Sequence, residues 1–148
     1  DIEKIADDHF RITVAVAGFK GDEIDITAQQ NMLLVSGRKT PVVERRAKNI
    51  GISHLFQGRE DNLVFLDELI AQLGLSYEQV AYLGDDLPDL PVIRRVGLGM
   101  AVANAADFVR EHAHGTTLAR GGEGAAREFC ELILRAQGTL DAANAAYL

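Results

Sequence analysis

A chain of 148 residues suits one ordinary domain with a real core, and 47% apolar with 25% charged residues is a soluble globular composition. Net charge is −7; residues 1–35 hold 7 acids against 3 bases and residues 36–148 hold 15 against 12, so neither part has the basic excess of a nucleic-acid binder. No apolar run approaches the ~20 residues that span a bilayer; the single cysteine, Cys130, excludes an internal disulfide and fits a reducing, cytoplasmic compartment.

In chain order, residues 8–35 carry a period of two. Phe10, Ile12, Val14 and Val16 fall on one face of a strand, and Arg11, Thr13, Ala15 and Ala17 on the other. Gly18–Asp22 punctuates the strand as a turn. Ile24, Ile26 and Ala28 alternate again, Gln29–Asn31 suits a hairpin connection, and Met32–Val35 is a third strand. The pattern predicts an antiparallel segment. A crossover helix over residues 20–30 is the competing expectation, and the spacing of Ile24 and Ile26 argues against it. The chain opens on Asp1 rather than Met, which points to a processed, trimmed or assembled product.

From Ser36 helix and strand alternate, which predicts a parallel sheet with helices on both faces. Thr40 and Pro41 suit the N-cap and first position of a helix that Gly51 closes, with Arg45, Arg46 and Lys48 as its solvated face. His54–Phe56 is a short strand. Leu63, Leu66, Leu69, Ile70 and Leu73 form the apolar stripe of a second helix, which ends at Gly74. A buried strand runs from Val80 into Gly84, followed by a helix from Pro88 to Arg95. A strand around 100–102, a helix over 105–112, a strand at 116–118 and a helix from about 124 to 136 complete the pattern. The alanine-rich stretch beyond Gly138 is predicted as a tail.

The chemistry concentrates where the Val80 strand stops. Asp85, Asp86 and Asp89 follow Gly84 directly, and ligands of open α/β sheets sit beyond the carboxyl ends of strands. Crowded carboxylates repel one another, and Mg²⁺, which keeps most of its waters and takes one or two carboxylates, relieves that repulsion. The plainer alternative is an acidic loop that caps the following helix. Ser36, Gly37 and Arg38 follow the Met32–Val35 strand, where a hydroxyl and free amides suit a phosphate oxygen; a strand-end turn is the plain alternative. His54, His112, His114 and Cys130 have bland readings as packed, helix-end or small apolar side chains, and Met32 and Met100 as core filler.

Two resemblances follow from these residues. Asp8–Phe19, Ile24–Gln29 and Leu33–Lys39 resemble the opening of the α-crystallin domain of bacterial small heat-shock proteins, over residues 1 to about 39. Ser36-Gly37-Arg38-Lys39, Gly51–Gly58, Val80–Pro91, Val96–Leu98, Ala101–Ala103 and Gly121–Glu128 resemble the haloacid dehalogenase superfamily. Within it they are closest to the family that hydrolyses 3-deoxy-manno-octulosonate 8-phosphate in lipopolysaccharide synthesis. This second resemblance implies a Rossmann-like α/β fold and a Mg²⁺-assisted Asp that attacks phosphorus. It also implies a homo-oligomer, a tetramer in the family, acting on a sugar phosphate or binding inorganic phosphate.

Carried over residue by residue, Ser36, Gly37 and Arg38 take the phosphate-binding role, and Asp85 with Asp86 the metal role. Asp89, Asn62 and Arg127 support them. The family's nucleophile motif, Asp-x-Asp-Gly, lies some forty residues before Ser-Gly-Arg; counting back from Ser36 passes the first residue, and residues 1–35 contain no Asp-x-Asp. The family's lysine at the second helix is Asn62 here, with Arg59 the nearest cation. The expectation is a small-heat-shock-like segment (residues 1–35) joined, at Val35–Lys39, to a phosphatase core (residues 36–148). Its first catalytic strand is missing, and it has little or no activity. The alternatives are a chaperone-type binding fragment, whose edge strands pair with exposed chains, or a chimera without a selected function.

Overall fold

The computed structural model describes residues 12–15, 32–36, 40–49, 52, 54–58, 61–145 and 147–148. Its strands form two three-stranded ladders, parallel throughout. In the first, β1 (Ile12–Ala15), β2 (Met32–Ser36) and β3 (His54–Gln57) lie in the order β1-β2-β3. In the second, β4 (Ala81–Gly84), β5 (Leu98–Ala101) and β6 (Gly115–Thr116) lie in the order β4-β5-β6. β1 lies alongside β4. Across the molecule the strands therefore follow the order β3-β2-β1-β4-β5-β6.

The observed sheet differs from two expectations. Residues 12–15 and 32–36 pair in parallel, Ile12 opposite Met32 and Ala15 opposite Val35, not as an antiparallel segment. A period of two reports only that alternate faces differ in burial, and it is the same in both ladder types; the neighbouring strand sets the direction. The expected hairpin connection at Gln29–Asn31 lies outside the described residues. The position between β2 and β4 is also filled, since β1 takes it. A strand is present there, although it does not carry the family's attacking acid.

The helices follow the pattern more closely. α1 (Pro41–Asn49) begins as expected, with the Val43 amide donating to the Thr40 hydroxyl at 3.3 Å. Arg45 and Lys48 are exposed and Arg46 half-buried. α2 (Asn62–Leu73) buries Phe65, Leu66 and Leu69 and stops at Gly74, whose φ of 64° is open to glycine at little cost. Its N-cap is Asp61, which accepts from the Val64 amide. α3 (Leu90–Ile93) is shorter than expected, because a 3₁₀ turn takes Leu87–Asp89. α4 (Asp107–His112) and α5 (Ala125–Ala136) fall where the apolar spacing puts them. The alanine-rich stretch is a helix in part, α6 (Leu140–Ala145), as alanine's helix propensity favours.

The core sits around β4, whose four residues are all buried. Ile93, Val109, Phe129 and Ile133 close over it from the surrounding helices, each fully buried. Cys130 is buried in α5 and burial pushes its thiol up to about 12, so it is an inert apolar filler. A thiol reagent at neutral pH should label the native protein slowly and the denatured protein at once; equal rates would contradict this burial.

Candidate active site

Strand order places the site. Reading outward from the middle, β1-β2-β3 runs one way and β4-β5-β6 the other, so the order reverses between β1 and β4. A crevice opens at such a switch point beyond the carboxyl ends of the strands, because the connections diverge to opposite sides. Asp85 is the first residue after β4.

The loop that follows is built around Asp89. Its carboxylate, only 5% exposed, accepts from the Tyr82 hydroxyl at 2.8 Å and from Asn62 Nδ2 at 2.9 Å through Oδ1. Through Oδ2 it accepts from the backbone amides of Asp85 at 2.9 Å and Asp86 at 3.2 Å. A buried carboxylate needs such donors, since an unpaired one would be costly. Gly84 makes this closure possible: a Cβ there would lie 2.5 Å from the Asp89 Cβ. Backbone bonds hold the loop from the other side, with Val102 N donating to Gly84 O and Ala106 N to Asp85 O.

Asp85 and Asp86 differ in what remains for a ligand. Asp86 is exposed and caps the 3₁₀ turn, its Oδ1 accepting from the Leu87 amide at 2.8 Å, so the plain capping role is one it fulfils. Asp85 is half-buried, and its Oδ1 is enclosed without a hydrogen-bond partner among the described residues. Burial, followed by the charges of Asp89 and Asp86, pushes its carboxyl up to about 6. The same burial and the Asp89 charge raise the Tyr82 hydroxyl well above its ordinary range.

Because Asp85 titrates higher when folded than unfolded, the native state binds the extra proton more tightly. Its ionisation therefore opposes folding, and stability should rise as pH falls from about 7 through 6 toward 4. Asp85→Asn should flatten that slope and stabilise the metal-free protein at neutral pH. Urea unfolding at several pH values checks this, and an unchanged slope would contradict it.

The remaining expected site residues divide between placed and unplaced. Ser36 ends β2, paired in register with Gln57, at the carboxyl end of its strand. Gly37, Arg38 and Arg59 lie outside the described residues. Asn62 opens α2 and ties it to Asp89 rather than capping it. Arg127 is exposed in the first turn of α5. His112 contacts the Phe108 carbonyl one turn earlier, and His114 Nδ1 accepts from the Gly99 amide at 3.0 Å, so both keep structural roles.

Sequence reasoning missed Tyr82 and Glu128. A tyrosine inside an otherwise apolar strand needs a partner for its hydroxyl, and that was the available signal. Glu128 accepts from the amides of Leu118 and Ala119, both at 2.8 Å, and so fixes the start of the glycine-rich segment. Asn104 holds its next part by accepting from the Gly121 amide.

Among the described residues no group of three or more His, Cys, Asp or Glu side chains is placed to cage a metal. An enclosed, unpaired carboxylate oxygen beside two further acids nevertheless suits a hydrated Mg²⁺, which needs few protein ligands.

A parallel sheet with its acid loop at this switch point defines a haloacid dehalogenase-like class, and the model of haloacid dehalogenase-like hydrolases matches residues 63–129. The Hsp20/alpha crystallin family model matches residues 2–60. A solved structure of a protein described as a probable YrbI family phosphatase, from Pseudomonas syringae pv. phaseolica, is 58% identical. It covers 93% of this chain and 92% of its own, with a TM-score of 0.83. A second structure, the 3-deoxy-D-manno-octulosonate 8-phosphate phosphatase of Moraxella catarrhalis with magnesium, phosphate and KDO, is 34% identical. It covers 93% and 92%, with a TM-score of 0.81. The phosphatase KdsC of Yersinia pestis is 48% identical over 119 residues, 80% of this chain. The chain spans 64% of the length of that curated relative. This protein belongs to the 3-deoxy-D-manno-octulosonate 8-phosphate phosphatase family of haloacid dehalogenase-like hydrolases.

Proposed function

We propose that the chain is a phosphatase-family domain related to Mg²⁺-dependent hydrolysis of 3-deoxy-manno-octulosonate 8-phosphate, with its anion and metal cradle kept and its turnover impaired. The observation that carries the reading is Asp85: a carboxylate at the carboxyl end of β4, beside the switch point, with one enclosed oxygen that has no hydrogen-bond partner among the described residues. The Moraxella relative holds magnesium, phosphate and KDO, and a Haemophilus influenzae relative holds cobalt, which supports a divalent cation and a phosphorylated sugar acid here.

In this reading Asp85 and Asp86 face the cation and Asp89 fixes their loop. Ser36, Gly37 and Arg38 receive the phosphate, and Arg127 belongs to the glycine-rich segment's contribution in a homo-oligomer. Bound Mg²⁺ would supply Lewis-acid neutralisation of the phosphoryl oxygens. Mg²⁺ binding is expected to be weak, because the motif that supplies the other ligands is absent from residues 1–35.

Impairment follows from two positions. β1 leads into Val16-Ala17-Gly18-Phe19, none of which can attack phosphorus. Asn62 stands where the family has lysine, carries no charge and has its amide nitrogen engaged by Asp89. In sequence terms, residues 1–35 are a small-heat-shock-like segment joined at Val35–Lys39 to a phosphatase core, in a cytoplasmic protein, with β1 and β2 taken into that core's sheet. Phosphate release from sugar phosphates with Mg²⁺ tests the reading, and turnover near that of a complete family enzyme would refute the impairment.

The Hsp20 match over residues 2–60 favours a second reading, a small-heat-shock-type binding fragment. Suppression of client aggregation by the full chain would support it, and no suppression at molar excess would dismiss it.

A further inference from the structure

The geometry points to Tyr82 and Asn62 as positioning residues for the Asp85 metal ligand, acting through the buried Asp89 carboxylate that they share. The inference rests on the metal reading of Asp85 given above. Neither residue is a ligand: Tyr82 is 1% exposed within β4, and the Asn62 amide nitrogen lies on Asp89. What they control is which way the next turn of chain faces.

Asp89 has two oxygens with separate duties. Oδ2 receives the amides of Asp85 and Asp86, and so sets the backbone of the two acids themselves. Oδ1 receives Tyr82 from below, in the sheet, and Asn62 from the side, at the start of α2. The carboxylate is thus held at one end by rigid elements and at the other holds the loop. Gly84 leaves no side chain to wedge the two apart. Removing either donor frees the carboxylate to rotate, and the Asp85 amide turns with it. Outer contacts of this kind typically set metal affinity by about 10- to 100-fold when lost.

Asn62 carries a second consequence. Among the described residues the buried Asp89 carboxylate takes its hydrogen bonds from neutral donors: a hydroxyl, a side-chain amide and two backbone amides. A divalent cation at Asp85 would add positive charge beside that carboxylate, so the loop should gain order on binding it. Asn62→Ala removes the tie without introducing a charge. Tyr82→Phe removes only the hydroxyl and keeps the ring in the core.

Calorimetric titration of the full chain with MgCl₂ tests this, alongside thermal unfolding without metal. Tyr82→Phe and Asn62→Ala should each weaken Mg²⁺ binding about tenfold. Tyr77→Phe, which disturbs a surface tie between Tyr77 and Asp67 elsewhere, should lower metal-free stability at most and leave Mg²⁺ affinity unchanged. Asp85→Asn should abolish the binding heat. Unaltered affinity in both Tyr82→Phe and Asn62→Ala, with Asp85→Asn silent, would overturn the positioning role and leave the metal reading standing. No saturable binding by the parent chain would overturn the metal reading and this inference with it. Should Asn62→Ala not fold, Tyr82→Phe alone decides.

Discussion

Hydrolysis of 3-deoxy-manno-octulosonate 8-phosphate by this chain should run about 10⁶-fold below that of a complete family enzyme, a loss of roughly 8 kcal/mol of transition-state stabilisation. Two-step transfer requires a carboxylate to form a bond to phosphorus and water to break it later. The residues that follow β1 in the sequence are Val16, Ala17, Gly18 and Phe19, which offer no such oxygen. The acids that the fold does bring together are otherwise engaged. Asp89 is buried and accepts from Tyr82, Asn62 and two amides, and Asp86 caps a turn. Among the described residues Asp85 is the acid with an enclosed oxygen that lacks a hydrogen-bond partner, and its place after β4 suits a metal rather than an attack on a phosphate.

Asn62→Lys alone should therefore not recover turnover, because a cation stabilises charge that must first be delivered by a nucleophile. Steady-state phosphate release, with acid quenching to detect an acyl phosphate, measures both points. An acyl-phosphate adduct on the chain, or turnover within tenfold of a complete enzyme, would defeat the prediction.

Gly99→Ala should destabilise the fold by more than about 3 kcal/mol, a large share of the roughly 5–15 kcal/mol that holds a domain together. Gly99 lies in β5, and a Cβ there would stand 1.9 Å from the Ile93 carbonyl oxygen and 2.6 Å from its carbon. Those are backbone atoms of a fully buried residue, so no side-chain rotation relieves the overlap. Either β5 moves away from α3 or α3 moves off the sheet. Movement of β5 would also disturb the Gly99 amide, which donates to His114. Gly115→Ala is the matched control: its Cβ would meet only the Met100 methyl, at 3.5 Å, an ordinary contact. Denaturant unfolding of the two variants should separate them clearly. Equal stability would mean that β5 and α3 can part at little cost.

The second half of the molecule was legible from its residues to a degree the first was not. The stripe Leu63, Leu66, Leu69, Ile70 and Leu73 gave α2 its length, and Gly74 gave its end. Val80–Gly84 announced a buried strand, and the acids after it announced a loop with surplus negative charge. Those signals are local: periodicity, a left-handed glycine and charge density all act within a few residues. Asn62 shows the limit. It stands at a helix start, yet Asp61 caps the helix and Asn62 reaches across to Asp89, 27 residues away. Chain order says nothing about such a reach.

Alternation over Ile12–Ala15 and Met32–Ser36 was enough to say that both are strands with unlike faces. It carried no information on their direction or on the neighbour each would find. Parallel pairing, and the placing of β1 beside β4, are set by the strands on either side of β1 in the tertiary structure. The motif residues named the chemistry in advance, because charge and hydroxyl groups belong to side chains. Which carboxylate would be buried and tied, which would cap, and which would keep an oxygen free depended on packing: desolvation is a property of the surroundings, and the surroundings of Asp85 and Asp89 come from α2, β4 and β5 together.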